Sequence, residues 1–260
     1  MKNFMALAIV ALSLSACTKN NDTQPDVNTE PNKLLLDSVI TYTTSGKIVT
    51  DYDYDSNNNL IAAYESESDS YSTSVVKHLY TYDAQNNLVK SVITRGSSIA
   101  TFNYNYQNNI PTVVDYTNTS ETPATFTTKI TVQNDKVSVS ETTSPNGDGG
   151  ITSFLYNEQN LIKESVQSKT SSYNQTISYD FGTNHNPYLN TGNKWKLPDV
   201  PYANKNEILT ETSLNNGSSS TTTYTYAYNQ DGYPTKGLQR RTNSAGSKET
   251  VIEYKYIKAK

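Results

Sequence analysis

Apolar and polar residues alternate with a period of two along most of the chain after residue 33. In residues 101–106, Phe and Tyr alternate with Thr and Asn, and in residues 223–228 Tyr alternates with Thr and Ala. Successive side chains of a β-strand point to opposite faces, so each run predicts a strand with a Tyr/Ile/Val face and a Thr/Ser/Asn face. No segment shows a sustained helical period.

Asparagine-rich steps separate these runs. In "YTYDAQNNLVK", residues 80–90, the step Gln85-Asn86-Asn87 suits a tight turn because Asn tolerates positive φ and hydrogen-bonds its own backbone. The stretch therefore predicts the tip of a β-hairpin. The same reasoning along the chain predicts strands at 34–42, 47–54, 60–65, 73–82, 88–94, 99–106, 110–116, 125–132, 137–143, 151–156, 161–167, 172–179, 207–212, 221–228, 233–242 and 248–257.

Consecutive strands that pair as a meander place the Asn-rich turns at one end, which we call the Asn-turn end. Longer loops such as "ESESDSYS", "TNTSETPA" and "SPNGDGG" are expected at the other end. The unpaired edge strands of a wide sheet tend to associate with other chains unless they are protected. These strands carry few protective charges, so we expect the sheet to curl or close. We predict an all-β fold: a large antiparallel β-meander of about 14–16 strands, curled into an open or closed barrel-like sheet.

The first residues carry the features of a secretion signal. Lys2 is followed by an apolar run from Phe4 to Leu14, too short to span a membrane as a mature helix, and then by small residues and the only cysteine, Cys17. The stretch Leu14-Ser15-Ala16-Cys17 resembles a bacterial lipobox, in which cleavage precedes a cysteine whose sulfur carries a diacylglycerol. A buried structural thiol is the alternative. We expect a signal peptide over 1–16, a flexible tether over 17–33 and a single β-meander domain over 34–260.

These features predict an outer-membrane lipoprotein of the cell envelope, facing the periplasm or the surface and attached to the membrane through Cys17. Removal of residues 1–16 takes away Lys2, one of 21 basic residues, and leaves 20 against 25 acidic ones. A surface with this acidic balance does not attract nucleic acid, and we expect no nucleic-acid partner.

The hairpin motifs also carry a resemblance. "YTYDAQNNLVK" and "YAYNQDGYPTKG" resemble YD-type, Rhs-like repeats, and "YDFGTNHNPYL", residues 179–189, resembles an Asn-Pro-aromatic segment of Bacteroidetes lipoproteins. The chain from residue 34 is similar to that family, which has a porin-like fold and no assigned function. The resemblance implies a large curled sheet or barrel without an established activity. An integral outer-membrane barrel is the alternative, but mid-strand tyrosines and short strands favour a barrel outside the bilayer.

Few residues suggest catalysis or metal binding. His78 is predicted in a strand, and His185 lies in a loop without a second His or Cys nearby to complete a zinc site. The acidic stretch "DYDYDSNNN" starts like a calcium loop at Asp51, but Ser56 and Ala62 stand where such a loop needs Gly and Glu. We therefore expect no metal and no cofactor.

Two classes of function remain open. The first is a non-catalytic binding or structural module for a glycan, a peptide or an envelope protein, whose aromatic residues supply stacking surfaces. The second is a carboxylate-dependent polysaccharide hydrolase with acids from different strands in one cleft. Glu65 and Glu67 are poor candidates for that pair, because they are predicted in an exposed loop. The chain is thus more typical of a non-enzyme, and its oligomeric state is not predicted.

Residues 182–206, "GTNHNPYLNTGNKWKLPDVPYANKN", stand where the meander calls for a tight turn. A connection this long caps or binds something. One alternative is that its apolar residues fill one mouth of the curled sheet. The other is a ligand-stacking shelf beside the Asn turns, formed by the following residues: Trp195, Tyr188, Tyr202, Lys194 and Lys196. Separately, Asp37-Ser38-Val39 resembles a Bacteroidetes O-glycosylation triplet, which predicts a glycan on Ser38.

Overall fold

The computed structural model describes residues 33–69, 73–120 and 123–260, and all of its regular elements are β-strands. The sixteen strands are β1 (Leu34–Tyr42), β2 (Gly46–Tyr54), β3 (Leu60–Asp69), β4 (Thr73–Tyr82), β5 (Leu88–Arg95), β6 (Ser98–Gln107), β7 (Ile110–Asn118), β8 (Ala124–Gln133), β9 (Lys136–Thr143), β10 (Gly149–Asn157), β11 (Asn160–Ser168), β12 (Asn174–His185), β13 (Asn206–Asn215), β14 (Ser218–Tyr228), β15 (Pro234–Asn243) and β16 (Gly246–Lys258). They belong to one compact unit spanning Pro31–Lys260.

Each strand pairs antiparallel with the next along the chain, and β1 also pairs with β16, so the sheet is a closed barrel. The closing seam aligns Val39 with Tyr254 and Thr41 with Ile252. The predicted antiparallel meander is thereby confirmed, and of the two predicted forms the closed one is present. Closure leaves no strand edge of the described sheet unpaired, which removes the risk of edge-to-edge association. The predicted signal peptide, Cys17 and nearly all of the predicted tether lie outside the described residues.

The recurring Asp and Asn motif is explained by a shared turn. The Asp55 carboxylate accepts the N–H groups of Asn57 and Asn59 at 2.8 and 2.9 Å, and Asn58 adopts a φ of 63°. Equivalent bonds are made by Asp83 to residues 85 and 87 and by Asn229 to residues 231 and 233. In each turn the Asp or Asn side chain accepts hydrogen bonds from two backbone N–H groups of the turn. A residue with a left-handed backbone conformation then reverses the direction of the chain.

The opposite end of the barrel differs in part from the sequence prediction. Residues 144–148 and 169–173 form longer loops, but the connections around Gly96 and Gly217 are tight turns. The predicted end of the third strand at residue 65, with a loop through Glu67, is wrong, because β3 continues through both glutamates to Asp69. Alternating polar Ser and Glu concealed the strand, since neither side chain is apolar there.

The aromatic face of the sheet points into the barrel. Tyr52, Tyr80 and Tyr104 are at most 9% exposed, whereas their strand neighbours Asp53 and Asn103 face solvent. The hydroxyls of inward tyrosines near the Asn-turn end reach the neighbouring hairpin: Tyr54, Tyr82, Tyr226 and Tyr256 donate to the carbonyls of Leu36, Leu60, Ile208 and Pro234. These bonds satisfy the polar end of each buried ring.

The outer wall mixes charged and polar residues with isolated aliphatic ones. Lys90, Lys129 and Lys163 stand in the middle of β5, β8 and β11 and are exposed, as is Asp51 on β2. Leu155, 55% exposed, is among the aliphatic residues of this wall. In the described part of the chain, no helix is long and apolar enough to cross a membrane.

Candidate functional site

The connection between β12 and β13, residues 186–205, enters the barrel from the Asn-turn end and is referred to as the plug. Trp195, Leu197 and Tyr202 of the plug are at most 9% exposed, and the first two belong to the central hydrophobic cluster. The capping alternative predicted from the sequence describes this arrangement. The barrel is wide enough to need a filler, because its sixteen strands leave more lumen than their own side chains occupy.

Hydrogen bonds fix the plug to strands on several sides of the barrel. The amide of Leu36 donates to Thr191 Oγ1, the hydroxyl of Tyr104 donates to the carbonyl of Pro198, and the amide of Leu161 donates to Asn204 Oδ1. Within the plug, Gly192 lies so close to the returning chain that a Cβ there would be 2.8 Å from the amide nitrogen of Ala203. The plug is therefore a built part of the core.

Above the plug, on the side away from the Asn turns, the lumen contains a cavity of about 590 Å³. We call it the lumen cavity. Its floor is residues 196–201 of the plug, and its walls come from β2–β4 on one side and β9–β11 on the other. The lining combines aromatic and ionisable side chains, with these members: Tyr52, Tyr80, Phe154, Tyr188, Glu65, His78, Glu164, Lys196 and Asp199.

One ionic group of the cavity centres on Glu164 of β11. Lys196 Nζ lies 3.3 Å from Glu164 Oε1, and the Tyr179 hydroxyl donates to the same oxygen at 2.8 Å. Glu211 of β13 flanks Tyr179 from the other side, paired with it across the sheet. Burial, and next the nearby charge of Glu164, raise the pKa of Glu211. Two carboxylates thus share one region of the inner wall.

A second polar group holds the plug against β4 and β5. Ser91 Oγ donates to Asp199 Oδ2 at 2.7 Å, and His78 Nδ1 lies 3.7 Å from Asp199 Oδ1. Burial raises the pKa of Asp199, while the Ser91 hydrogen bond and His78 act in the opposite direction. Asp199 adopts a φ of 65°, in the left-handed region that Asp tolerates better than most residues.

This Ser, His and Asp set does not form a nucleophilic triad. In a triad, the imidazole stands between the hydroxyl and the carboxylate and removes the proton of the nucleophile. Here Asp199 stands between Ser91 and His78, and Ser91 is fully buried. The serine therefore has neither a base nor access to a substrate. The group positions the plug, and His78 presents its ring to the cavity.

The structure separates the residues predicted as a stacking shelf. Tyr188 packs edge-on against Tyr52 at the lumen cavity, with 6.5 Å between ring centroids, whereas Tyr202 packs against Tyr156. Lys194 Nζ lies 5.1 Å from the Trp195 ring centre, and the next lysine, Lys196, points into the cavity on the other side of the plug.

Ser38 lies at the β1 bulge and is 5% exposed, not facing water as an ordinary first-strand serine would. A glycan on it stays a prediction, and its attachment would have to precede closure of the barrel. The candidate calcium stretch is divided as well: Asp51 faces outward, and Asp55 is occupied by its turn. Within the described ranges, no group of three His, Cys, Asp or Glu residues stands close enough to hold a metal ion.

Sequence reasoning missed most of the cavity residues. Phe154 and Glu164 pair across the β10–β11 hairpin, but Glu65 comes from β3, and only closure of the barrel brings it to the same lumen. The available signal was the alternation of faces along each strand, because all three residues occupy inward positions. The floor residue Asp199 has no comparable signal, because the plug lacks a periodic pattern.

Comparisons with known proteins support the fold. No family model and no curated protein matches the chain. Among solved structures, a porin-like protein from Bacteroides uniformis matches with a TM-score of 0.58 and 14% identity, covering 87% of this chain and 98% of that one. A porin-like protein from Bacteroides vulgatus matches with a TM-score of 0.55 and 11% identity, covering 86% of this chain and 99% of that one. The fold is thus similar to that of porin-like barrels.

Proposed function

We propose that this protein is a non-catalytic binding module that holds a short neutral glycan in the lumen cavity. The observation that carries this function is a cavity of about 590 Å³ in which aromatic rings and a few ionisable groups converge on one space. Small-molecule sites in proteins have about this size and composition. Because the plug fills the lumen below the cavity, the barrel is suited to retaining a ligand, and an open channel is not part of the proposal.

The charges in the cavity favour a hydroxyl-rich ligand. Glu164 is engaged by Lys196, and Asp199 is engaged by Ser91 and His78, so these carboxylates have partners. Glu65, half-buried on the wall, has no ion-pair partner within 4.0 Å among the described residues. An ionised carboxylate accepts hydrogen bonds only, and sugar hydroxyls are suitable donors.

The test is isothermal titration of the protein with a panel of short neutral glycans, using Glu65→Gln and a matched control. Glu67→Gln changes the same residue type on the same inward face of β3, two positions nearer the hairpin and outside the cavity lining. We expect Glu65→Gln to weaken glycan binding by roughly 10-fold or more, as for loss of a hydrogen bond to a charged group, and Glu67→Gln to leave it unchanged. Equal effects of both variants, or no binding across the panel, would contradict the proposal.

A polysaccharide hydrolase is the second candidate, favoured by one observation. Glu164 and Glu211 lie on either side of Tyr179, and burial, followed by the charge of Glu164, raises the pKa of Glu211, as expected for a general acid beside a second carboxylate. If the protein is a hydrolase, the wild type should release a chromophore from aryl glycosides, and the Glu211→Gln variant should not. A wild-type protein without such activity leaves binding as the function.

We also propose that the barrel stands in water at the outer membrane, attached through a lipid on Cys17. The exposed lysines in the middle of β5, β8 and β11 support a water-facing wall. A lysine at the bilayer midplane destabilises a membrane barrel by about 2–4 kcal/mol, so several of them disfavour a lipid-facing wall. The inward aromatic face supports the same orientation, because a membrane barrel would turn its apolar face to lipid.

A further inference from the structure

A second concavity lies on the opposite side of the plug, among the Asn turns. We call it the turn-end pocket; its volume is about 200 Å³. The turns after β2 and β4, the end of β6 and the start of the plug surround it. Its lining residues are Lys33, Asn57, Asn58, Asn59, Leu60, Tyr82, Asn86, Asn87, Leu88, Tyr106, Asn190, Thr191, Gly192, Asn193, Lys194 and Trp195.

Two buried donors among these residues have no hydrogen-bond partner. The indole nitrogen of Trp195, a residue that is 6% exposed, and the hydroxyl of Tyr106 are both buried and have no partner in the part of the chain that the structure describes. Leaving such groups without a partner costs free energy, and most buried polar groups in proteins have one. Both side chains line the turn-end pocket, so the missing partner is expected there.

The hydroxyl of Tyr106 lacks a bond that several other tyrosines of the repeated hairpins make. Several tyrosines at similar positions of their hairpins, including Tyr54 and Tyr82, donate to a carbonyl of the neighbouring hairpin at 2.7 and 3.0 Å. The hydroxyls of Tyr106 and of Tyr156, which also precedes a turn, have no hydrogen-bond partner among the described residues. Of the two, Tyr106 lines the turn-end pocket, where its hydroxyl is available to an acceptor.

The charge of the lining indicates what that acceptor is. The charged residues of the turn-end pocket are Lys33 and Lys194, both exposed at its rim, and no carboxylate lines it. The nearby carboxylates of Asp55 and Asp83 each already accept two turn amides and the side-chain amide of an Asn. Two cations and two neutral donors, beside acids that already have partners, fit a ligand that presents negatively charged oxygen.

We propose that the turn-end pocket binds the carboxylate of a small ligand, with Trp195 Nε1 and Tyr106 as donors and the two lysines as the counter-charge. At about 30 Å³ per water, the volume equals roughly seven waters, enough for one carboxylate with a small group attached. Both donors lie beneath the pocket surface, so the ligand reaches them as exposed rim side chains such as Lys194 move aside. This site is independent of the glycan proposed for the lumen cavity.

The only tryptophan of the chain lies in this pocket, so intrinsic fluorescence reports on it directly. The probes are glucuronate, glucose and acetate, titrated at constant ionic strength. We expect a saturable change with glucuronate, no saturation with glucose over a 10-fold wider concentration range, and weaker glucuronate binding at high salt. If acetate binds as tightly as glucuronate, the pocket recognises the carboxylate alone. If glucuronate binds more tightly than acetate, the pocket recognises an acidic sugar.

Three variants complete the test. Tyr106→Phe removes one donor and should weaken glucuronate binding about 2- to 10-fold, without lowering the melting temperature of the free protein, because the lost hydroxyl has no partner. Lys194→Gln should weaken it about 2- to 5-fold. Tyr116→Phe, a hydroxyl on β7 outside the pocket, is the matched control and should change nothing. Equal binding of glucose and glucuronate, an absent response, or unchanged affinity in Tyr106→Phe would overturn the proposal.

Discussion

Replacement of Trp195 by alanine is the perturbation that best tests whether the plug is structural. The ring is 6% exposed and belongs to the central cluster that joins the plug to the inner wall. Truncation of a buried Trp to Ala costs about 3–5 kcal/mol of unfolding free energy. The contact with the Lys194 ammonium, about 0.5–1 kcal/mol for an exposed cation, is lost as well.

One contribution acts in the opposite direction. The buried indole N–H has no hydrogen-bond partner, and its removal relieves a penalty of about 1–3 kcal/mol. The net expected loss is about 3 kcal/mol of unfolding free energy. For a protein of this size, that loss lowers the melting temperature by about 6–12 °C, at 2–4 °C per kcal/mol.

The assay is urea unfolding followed by near-ultraviolet circular dichroism, together with a thermal melt. Trp195→Phe serves as the control, because it keeps an aromatic ring and removes the unpartnered N–H; its loss should stay within about 1.5 kcal/mol. A Trp195→Ala variant within 1 kcal/mol of the wild type would refute the structural role of the plug. In that case the ring would have to be far more exposed than its packing indicates.

Three further outcomes are expected. Cys17→Ser should release the protein from membranes into the soluble fraction; a variant that remains after carbonate extraction supports the integral-barrel alternative. Burial raises the pKa of Tyr82 and Tyr202 to about 12, whereas the pKa of an unfolded tyrosine is about 10. Their contribution to the free energy of unfolding is therefore complete below pH 10 and is lost as the pH rises through 12. In an ultraviolet titration at pH 11, fewer than half of the 21 tyrosines should ionise before denaturation; ionisation of all of them near pH 10 contradicts an inward aromatic face. A native mass equal to the acylated polypeptide alone would exclude a glycan on Ser38.

The wall of the barrel was predictable because its information is local. Alternation of Tyr with Thr or Asn fixes the faces of a strand, and Asp55 and Asp83 mark turns whose hydrogen bonds span only four residues. The strand around Glu65 shows the limit of this signal. Glutamate alternates there with serine, so both faces are polar and the period carries no hydrophobic contrast.

The candidate sites were less predictable because they depend on closure. Whether sixteen strands close depends on twist and stagger accumulated around the whole sheet, and no single segment records it. Glu65 and Phe154 meet only after closure, and Lys194 and Lys196 reach different cavities because the plug runs between them. Tyr106 resembles the other repeat tyrosines in sequence, and its free hydroxyl is visible only when its neighbours are in place.

Location of a bound glycan tests the account most directly. A crystal structure of the protein with the glycan selected by titration should show the sugar above the plug, between Tyr52 of β2 and Phe154 of β10 and within hydrogen-bond distance of Glu65. A glycan found only on the outer wall or in the turn-end pocket, with the lumen cavity empty, would contradict lumen binding.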